Sequence, residues 1–143
     1  QTEGPPESRG MCKKLRLQTR LSLGAALIDA EKFAEAAQVF EETEPMAAEL
    51  GEQSVRLDCY RLAAFCHERR DVPEIAFRFA YDGLQAAKQM PAEVLATSSL
   101  PFLGETLLRL CEPAKQGALK SDLERELDAL LQSPPAKEPA LEA

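Results

Sequence analysis

The stretch LGAALIDAEKFAEAAQVF, residues 23–40, decides the fold of this chain. Its apolar side chains recur every three or four residues, which is the period of an amphipathic α-helix. The segment Asp29–Lys32 interrupts this pattern in the middle of the stretch. We therefore expect two helices joined by a short turn, and a connection this short forces the helices to pack as an antiparallel hairpin.

The same pattern returns along the chain with a period of forty residues. Gly24, Ala64 and Gly104 lie at the same point in the first helix of three successive hairpins. Small residues at these points allow two helices to approach closely. The period predicts six helices, at about Cys12–Ile28, Phe33–Leu50, Gln53–Glu68, Pro73–Met90, Ala92–Cys111 and Gln116–Gln132.

Around Gly24, the positions of Leu27, Phe33, Ala36 and Phe40 resemble the pattern of the tetratricopeptide repeat (TPR) family, in its longer variants of about forty residues. The resemblance covers about residues 15–132 and weakens after the first unit. It implies an all-α fold in which three antiparallel helical hairpins stack as a right-handed TPR-like solenoid. The implied units are about 12–51, 52–91 and 92–132. A HEAT-like repeat is the alternative, which the small residues disfavour.

Proline and glycine mark the predicted ends of the helices. Gly51 is expected to stop the second helix in a left-handed conformation. Asp71 is expected to cap the fourth helix, with Pro73 in its first turn. Pro101 is expected to kink the fifth helix or delay its start to about Ser98 or Ser99. The Pro-rich ends, residues 1–11 and 133–143, are predicted to be disordered tails or linkers.

Composition narrows the classes of function. The net charge of −7 disfavours nucleic acid as a partner, and the chain lacks a signal-peptide pattern, so we expect a cytoplasmic protein. Cys12, Cys59, Cys66 and Cys111 form no CxxC pair, and His67 is the only histidine. His67 with Cys66 or Cys59 offers a base and a nucleophile, but the repeat spacing favours buried packing roles for them. We predict no enzyme activity, metal or cofactor.

The TPR resemblance implies a concave face that is lined by the first helix of each unit. Arginines alternate with apolar residues on this face, which is typical of protein contacts. The function that this indicates is an adaptor or scaffold module that binds a segment of another protein. The predicted partner-binding residues are Gln18, Leu21, Asp58, Arg61, Phe65, Glu68, Arg69, Glu105, Leu108 and Arg109.

A basic run in the first helix suggests a further function. It contains no acidic residue between Ser8 and Ile28, and its members are Arg9, Lys13, Lys14, Arg16 and Arg20. These side chains could recruit the domain to an anionic membrane or phosphate ligand. Charge pairing with the acidic end of the second helix is the explanation that we favour over such a ligand site. Independently of this run, the other alternative is self-association as a homodimer, or packing against the rest of a longer protein.

Overall fold

The structure is a computed structural model that describes the backbone of residues 6–132 and the side chains of residues 11–132. This range is all-helical and contains no strand. Its seven α-helices are α1 (Pro6–Asp29), α2 (Phe33–Glu49), α3 (Gln53–Arg69), α4 (Pro73–Ala87), α5 (Ala92–Ala96), α6 (Leu100–Leu110) and α7 (Lys120–Gln132), with a 3-10 turn at Gly117–Leu119. Helices that follow one another along the chain pack together from α1 to α4, and α6 then packs against α4 and α3.

The first three helices end in the same way. Glu31, Gly51 and Asp71, twenty residues apart, have φ values of 60°, 72° and 66°. Each donates its backbone N–H to the carbonyl three residues back, and the next residue donates to the carbonyl five residues back. These bonds form a Schellman motif, which satisfies the free carbonyls at a helix C-terminus. Gly51 therefore stops α2 as the sequence predicts.

The series of Schellman turns every twenty residues ends after Asp71, because Pro91 occupies the next corresponding position. Proline has a fixed negative φ and no N–H, so it cannot form this motif. Pro91 has a φ of −65° and precedes the short helix α5. The predicted fifth helix, Ala92–Cys111, is wrong as a single element: the chain leaves the helix at residues 97–99 and α6 begins at Leu100. The break lies where the position of Pro101 predicts it.

Two other sequence predictions need correction. The predicted tail, residues 1–11, is helical from Pro6, since α1 begins there and not near Cys12. Proline is favoured in the first turn of a helix, and this position explains the early start. Asp71 does not cap α4, because its backbone forms the preceding turn and the N-cap position falls on Val72, which makes no side-chain cap bond. Residues 1–5 and 133–143 lie outside the described range.

The repeated small residues lie at helix contacts. A Cβ added to Gly24 would lie 2.5 Å from Cζ of Phe40, so α1 and α2 pack with the glycine backbone against this ring. Ala64 is fully buried in α3, and Gly104 of α6 faces Leu127 of α7. One core cluster joins α2 and α3, and a larger one joins α3 to α7. None of the helices within residues 6–132 is both long and apolar enough to cross a membrane.

Candidate functional site

Helices α3 and α6 lie side by side in the same direction, and two polar contacts define their register. Near their N-terminal ends, Ser99 Oγ donates a hydrogen bond of 2.6 Å to Asp58 Oδ1. Near their C-terminal ends, Arg109 donates from Nε and Nη2 to the two carboxylate oxygens of Glu68, at 3.0 and 2.7 Å. The partners in both contacts are 41 residues apart in the sequence. This offset is close to the predicted repeat of forty.

These contacts change the character of the predicted binding face. Arg109 is held by Glu68 in a bidentate pair that raises the pKa of its guanidinium above the usual value. Arg69 lies over the ring of Phe33, with its Cζ 5.2 Å from the ring centroid. Two of the three arginines that the sequence predicts as central contacts are therefore engaged by residues of the chain itself.

Arg61 is less completely paired than these two arginines. Its Nη2 lies 3.6 Å from Asp58 Oδ1, and the carboxylate also accepts the bond from Ser99. Its Nε is buried and has no hydrogen-bond partner within the described residues. The Arg61 side chain is 29% exposed, so an acceptor on a partner can reach its terminal nitrogens but not the buried Nε.

Phe102 belongs to the same face, and the sequence analysis missed it. It is 61% exposed, and it lies one turn after Ser99 and two turns before Arg109. The helix register therefore places it between the two polar contacts with α3. The sequence pattern could have indicated this exposure, because Phe102 does not lie on the helix side formed by Leu100, Leu103 and Leu107, which are fully buried.

Phe65 extends the apolar part of the face toward the first helix. Its ring contacts Phe33 edge-on, with centroids 6.1 Å apart. Leu21 and Phe65 pack, partly buried, against the same core cluster, which contains Phe40 and Ala63. Gln18 is exposed on α1. We use the term α3–α6 face for the surface formed by Asp58, Arg61, Phe65, Glu68, Phe102 and Arg109.

The other two predicted residues lie at a separate concavity. Glu105 and Leu108 line a groove of about 460 Å³ between α6 and α7. We call it the α6–α7 groove, and its remaining lining residues are Pro101, Gly104, Glu124, Leu127, Asp128 and Leu131. The structure thus divides the predicted site into two surfaces, because α7 packs beside α6 and draws one side of that helix toward itself.

The basic run of α1 is partly neutralised by acidic residues. Arg20 donates to Glu42 Oε1 at 2.8 Å and to Thr43 Oγ1 at 3.0 Å. Hydrogen bonds from Gln38 and Arg20 lower the pKa of Glu42. Lys14 Nζ lies 3.8 Å from Glu52 and remains largely exposed.

Two further cations of the run remain free of such contacts. Lys13 and Arg16 are exposed and form no ion pair within residues 11–132. The side chain of Arg9 lies outside the described residues.

The candidate residues Cys59, Cys66 and His67 are buried between the packed helices. Burial, followed by the charge of Asp58, raises the pKa of Cys59 to about 12. Burial and Glu41 raise the pKa of Cys66 to about 11. Both thiols are therefore protonated at neutral pH, and the thiolate is the nucleophilic form.

His67 is also buried and has partners on every side. Its Nε2 lies 2.7 Å from Glu41 Oε2, its Nδ1 lies 3.1 Å from Arg70 Nη1, and its ring stacks on Phe79. This position matches the buried packing role that the repeat spacing predicts. Among the described residues, no group of three or more His, Cys, Asp or Glu side chains is arranged to hold a metal ion.

Comparisons with known proteins give no relative for this chain. No family model, no curated protein and no solved structure matches it. The function must therefore be inferred from the two surfaces described above.

Proposed function

We propose that this chain is a non-catalytic protein–protein interaction module of TPR-like architecture, which binds a segment of another protein on the α3–α6 face. Its helical hairpins would stack as a solenoid in which α1, α3 and α6 line the concave side. The identical turns at Glu31, Gly51 and Asp71 support this arrangement, because they join helices α1 to α4 at a regular spacing of twenty residues. The offset of 41 residues between α3 and α6 supports it as well.

The observation that carries the proposal is the exposed ring of Phe102 between two polar contacts. Large aromatic side chains on a surface are favoured as anchors in protein interfaces, since they bury much area at low entropic cost. Phe102 lies on the same face as Phe65 and Arg61. The bonds Ser99–Asp58 and Arg109–Glu68 hold the backbones on both sides of this ring in register, so the anchor is preorganised.

The chemistry of the face indicates the type of segment that it would bind. Arg109 already has a carboxylate partner, so the face does not present a cluster of free cations. Its open features are the two aromatic rings and the incompletely paired Arg61. A matching segment carries one or two large apolar side chains and an acceptor, a carboxylate or carbonyl, for Arg61.

Selection from a peptide library tests this proposal without knowledge of the natural partner. The full chain is immobilised, random peptides displayed on phage are selected, and the affinity of enriched peptides is measured by fluorescence polarisation. We expect Phe102→Asp to weaken binding by about tenfold or more. The matched control is Ile75→Asp, which places the same charge at an exposed apolar position of α4 and should leave binding unchanged.

Circular dichroism of both variants must show the helical content of the wild type before affinities are compared. Peptides that bind Phe102→Asp as tightly as the wild type would contradict the proposal that the α3–α6 face is the binding site. Repeated selections without any enriched peptide would contradict the interaction module itself.

A further inference from the structure

The α6–α7 groove has an apolar floor and acidic edges. Gly104 and Leu108 of α6 and Leu127 and Leu131 of α7 provide the floor, and Leu131 is 43% exposed. The acidic residues lie on both sides, with Glu105 on α6 and Glu124 and Asp128 on α7. A groove between two packed helices is the kind of surface on which a third helix packs in helical repeats.

The outer face of α1 has the opposite charge and is also apolar. Met11 and Leu15 are 65% and 62% exposed, and Leu23 is half-exposed on the same helix. Lys14 and Arg16 flank Leu15 at about 100° to each side, because successive residues of a helix are rotated by this angle. Both cations are exposed, and residues 11–28 contain no acidic side chain.

These two surfaces are complementary in charge, and both carry apolar side chains. The exposed pair Met11 and Leu15, with flanking lysine and arginine, matches an apolar groove with glutamate and aspartate on both edges. Met11 and Leu15 lie one turn apart along the helix and about 40° apart around it, so both can enter the groove together, whereas Leu23 lies about 120° from Met11 and faces another side.

The charges disfavour contacts between two copies of the same surface. Two α6–α7 grooves brought together would repel each other through their carboxylates, and two α1 faces would repel through their cations. The favourable contact joins unlike surfaces of two copies, and such a heterologous contact repeats from copy to copy unless it closes into a ring.

We propose that this chain self-associates head to tail, with the outer face of α1 from one copy seated in the α6–α7 groove of the next. The contact goes beyond the proposed function, because none of the residues that line the α6–α7 groove belongs to the α3–α6 face. It makes the domain a repeating scaffold that presents one partner-binding face per copy. Its dependence on opposite charges makes assembly sensitive to ionic strength.

Sedimentation velocity of the full chain tests the contact with two charge-reversed variants. The α1 variant carries Lys14→Glu and Arg16→Glu, and the groove variant carries Glu124→Lys and Asp128→Lys. We expect the wild type to assemble as its concentration rises and to dissociate as salt is added. Each variant alone should self-associate about tenfold or more weakly, because like charges then face each other.

The equimolar mixture of the two variants is the decisive sample. In the mixture, the basic α1 face of the groove variant can enter the acidic groove of the α1 variant. The acidic α1 face of the α1 variant can enter the basic groove of the groove variant. Assembly should therefore return to the level of the wild type. The matched control for the α1 variant, Arg78→Glu with Lys120→Glu, has the same change in net charge as that variant at exposed positions outside both surfaces and should assemble like the wild type.

Three results would overturn the proposal. A wild type that stays monomeric up to about 1 mM shows that the contact is absent at any useful concentration. Normal assembly of the α1 variant alone would indicate a different interface. A monomeric wild type that begins to self-associate once residues 133–143 are removed would assign the groove to the C-terminal segment of the chain itself. Peptide binding through Phe102 is measured separately, so its success or failure is independent of these outcomes.

Discussion

Arg109 and Glu68 are 41 residues apart in the sequence and form a bidentate ion pair that ties α6 to α3. Arg109 Nε and Nη2 each donate a hydrogen bond to one oxygen of the Glu68 carboxylate, at 3.0 and 2.7 Å. Together with Ser99 and Asp58, the pair defines the register of the two helices that form the proposed binding face. The arginine that the sequence offers as a partner contact is therefore a structural residue of that face.

A double-mutant cycle measures this pair. Arg109→Gln and Glu68→Gln should each lower the free energy of unfolding slightly, with a coupling of about 0.5–1 kcal/mol, since Arg109 is half-exposed and solvent screens the charges. Urea denaturation of the two single variants and the double variant checks the value. A coupling of zero would mean that the pair contributes no order to the α3–α6 face.

Gly24 provides a test of helix packing in the first repeat. Gly24→Ala should destabilise the domain by about 1–3 kcal/mol, because the new Cβ would meet the buried Phe40 ring at 2.5 Å. Thermal denaturation followed by circular dichroism measures the loss. Phe40→Leu in the Gly24→Ala background should recover part of it, by making room for the methyl group.

Gly104→Ala is the matched comparison for that prediction. The added Cβ would lie 3.1 Å from a methyl group of Leu127, a flexible side chain that can move by a few tenths of an ångström. The higher helix propensity of alanine then offsets the strain, and we expect a change below about 1 kcal/mol. Equal losses at Gly24 and Gly104 would contradict the difference in packing that the structure describes.

Asp71 lies in the left-handed region, where a residue with a side chain is strained. Asp71→Gly should raise the free energy of unfolding by about 0.5–1 kcal/mol, since Gly51 already fills the same turn position after α2. Arg78→Gly, in the middle of α4, is the control and should lower stability by about 1 kcal/mol. A destabilised Asp71→Gly would show that the Asp71 side chain contributes more than its backbone conformation costs.

The buried thiols predict a loss of stability at alkaline pH. The pKa of Cys59 is about 12 and that of Cys66 about 11, against an ordinary thiol value of 9.0. Between pH 9 and 11 the unfolded chain releases these protons and the folded chain retains them, so the free energy of unfolding falls as the pH rises. Below pH 9 both states are protonated and the effect disappears.

Lysines and tyrosines titrate in the same range, so the measurement compares two proteins. Urea denaturation between pH 7.5 and 10.5 should show a steeper fall for the wild type than for the Cys59→Ala, Cys66→Ala variant. Parallel curves for the two proteins would mean that these thiols are accessible to solvent in the folded state.

The small residues and turn residues carried most of the information about the fold. Gly24, Ala64 and Gly104 predict where helices approach closely, and Gly51 predicts a left-handed stop. Pro91 and Pro101 mark the part of the chain where the regular pattern ends. What the sequence analysis missed is the consequence of Pro91, which replaces a Schellman turn and leaves the short helix α5 in place of a long one.

The candidate site was harder to predict, because it depends on which side chains meet across helices. Arg69 and Arg109 are arginines on an exposed face in both the sequence and the structure. Their partners, Phe33 and Glu68, become neighbours only when the helices are packed. In the same way, Glu105 and Leu108 are separated from the α3–α6 face because α7 packs beside them, and helix packing of this kind is not visible in a periodic pattern.

Backbone amide shifts, followed while a library-selected peptide is titrated into the ¹⁵N-labelled full chain, locate the binding site residue by residue. The account predicts that the largest changes cluster on α3 and α6, around Arg61, Phe65 and Phe102, and that Ile75 on α4 is unaffected. Changes confined to the outer surfaces of α2 and α4 would contradict the assignment of the α3–α6 face as the binding site.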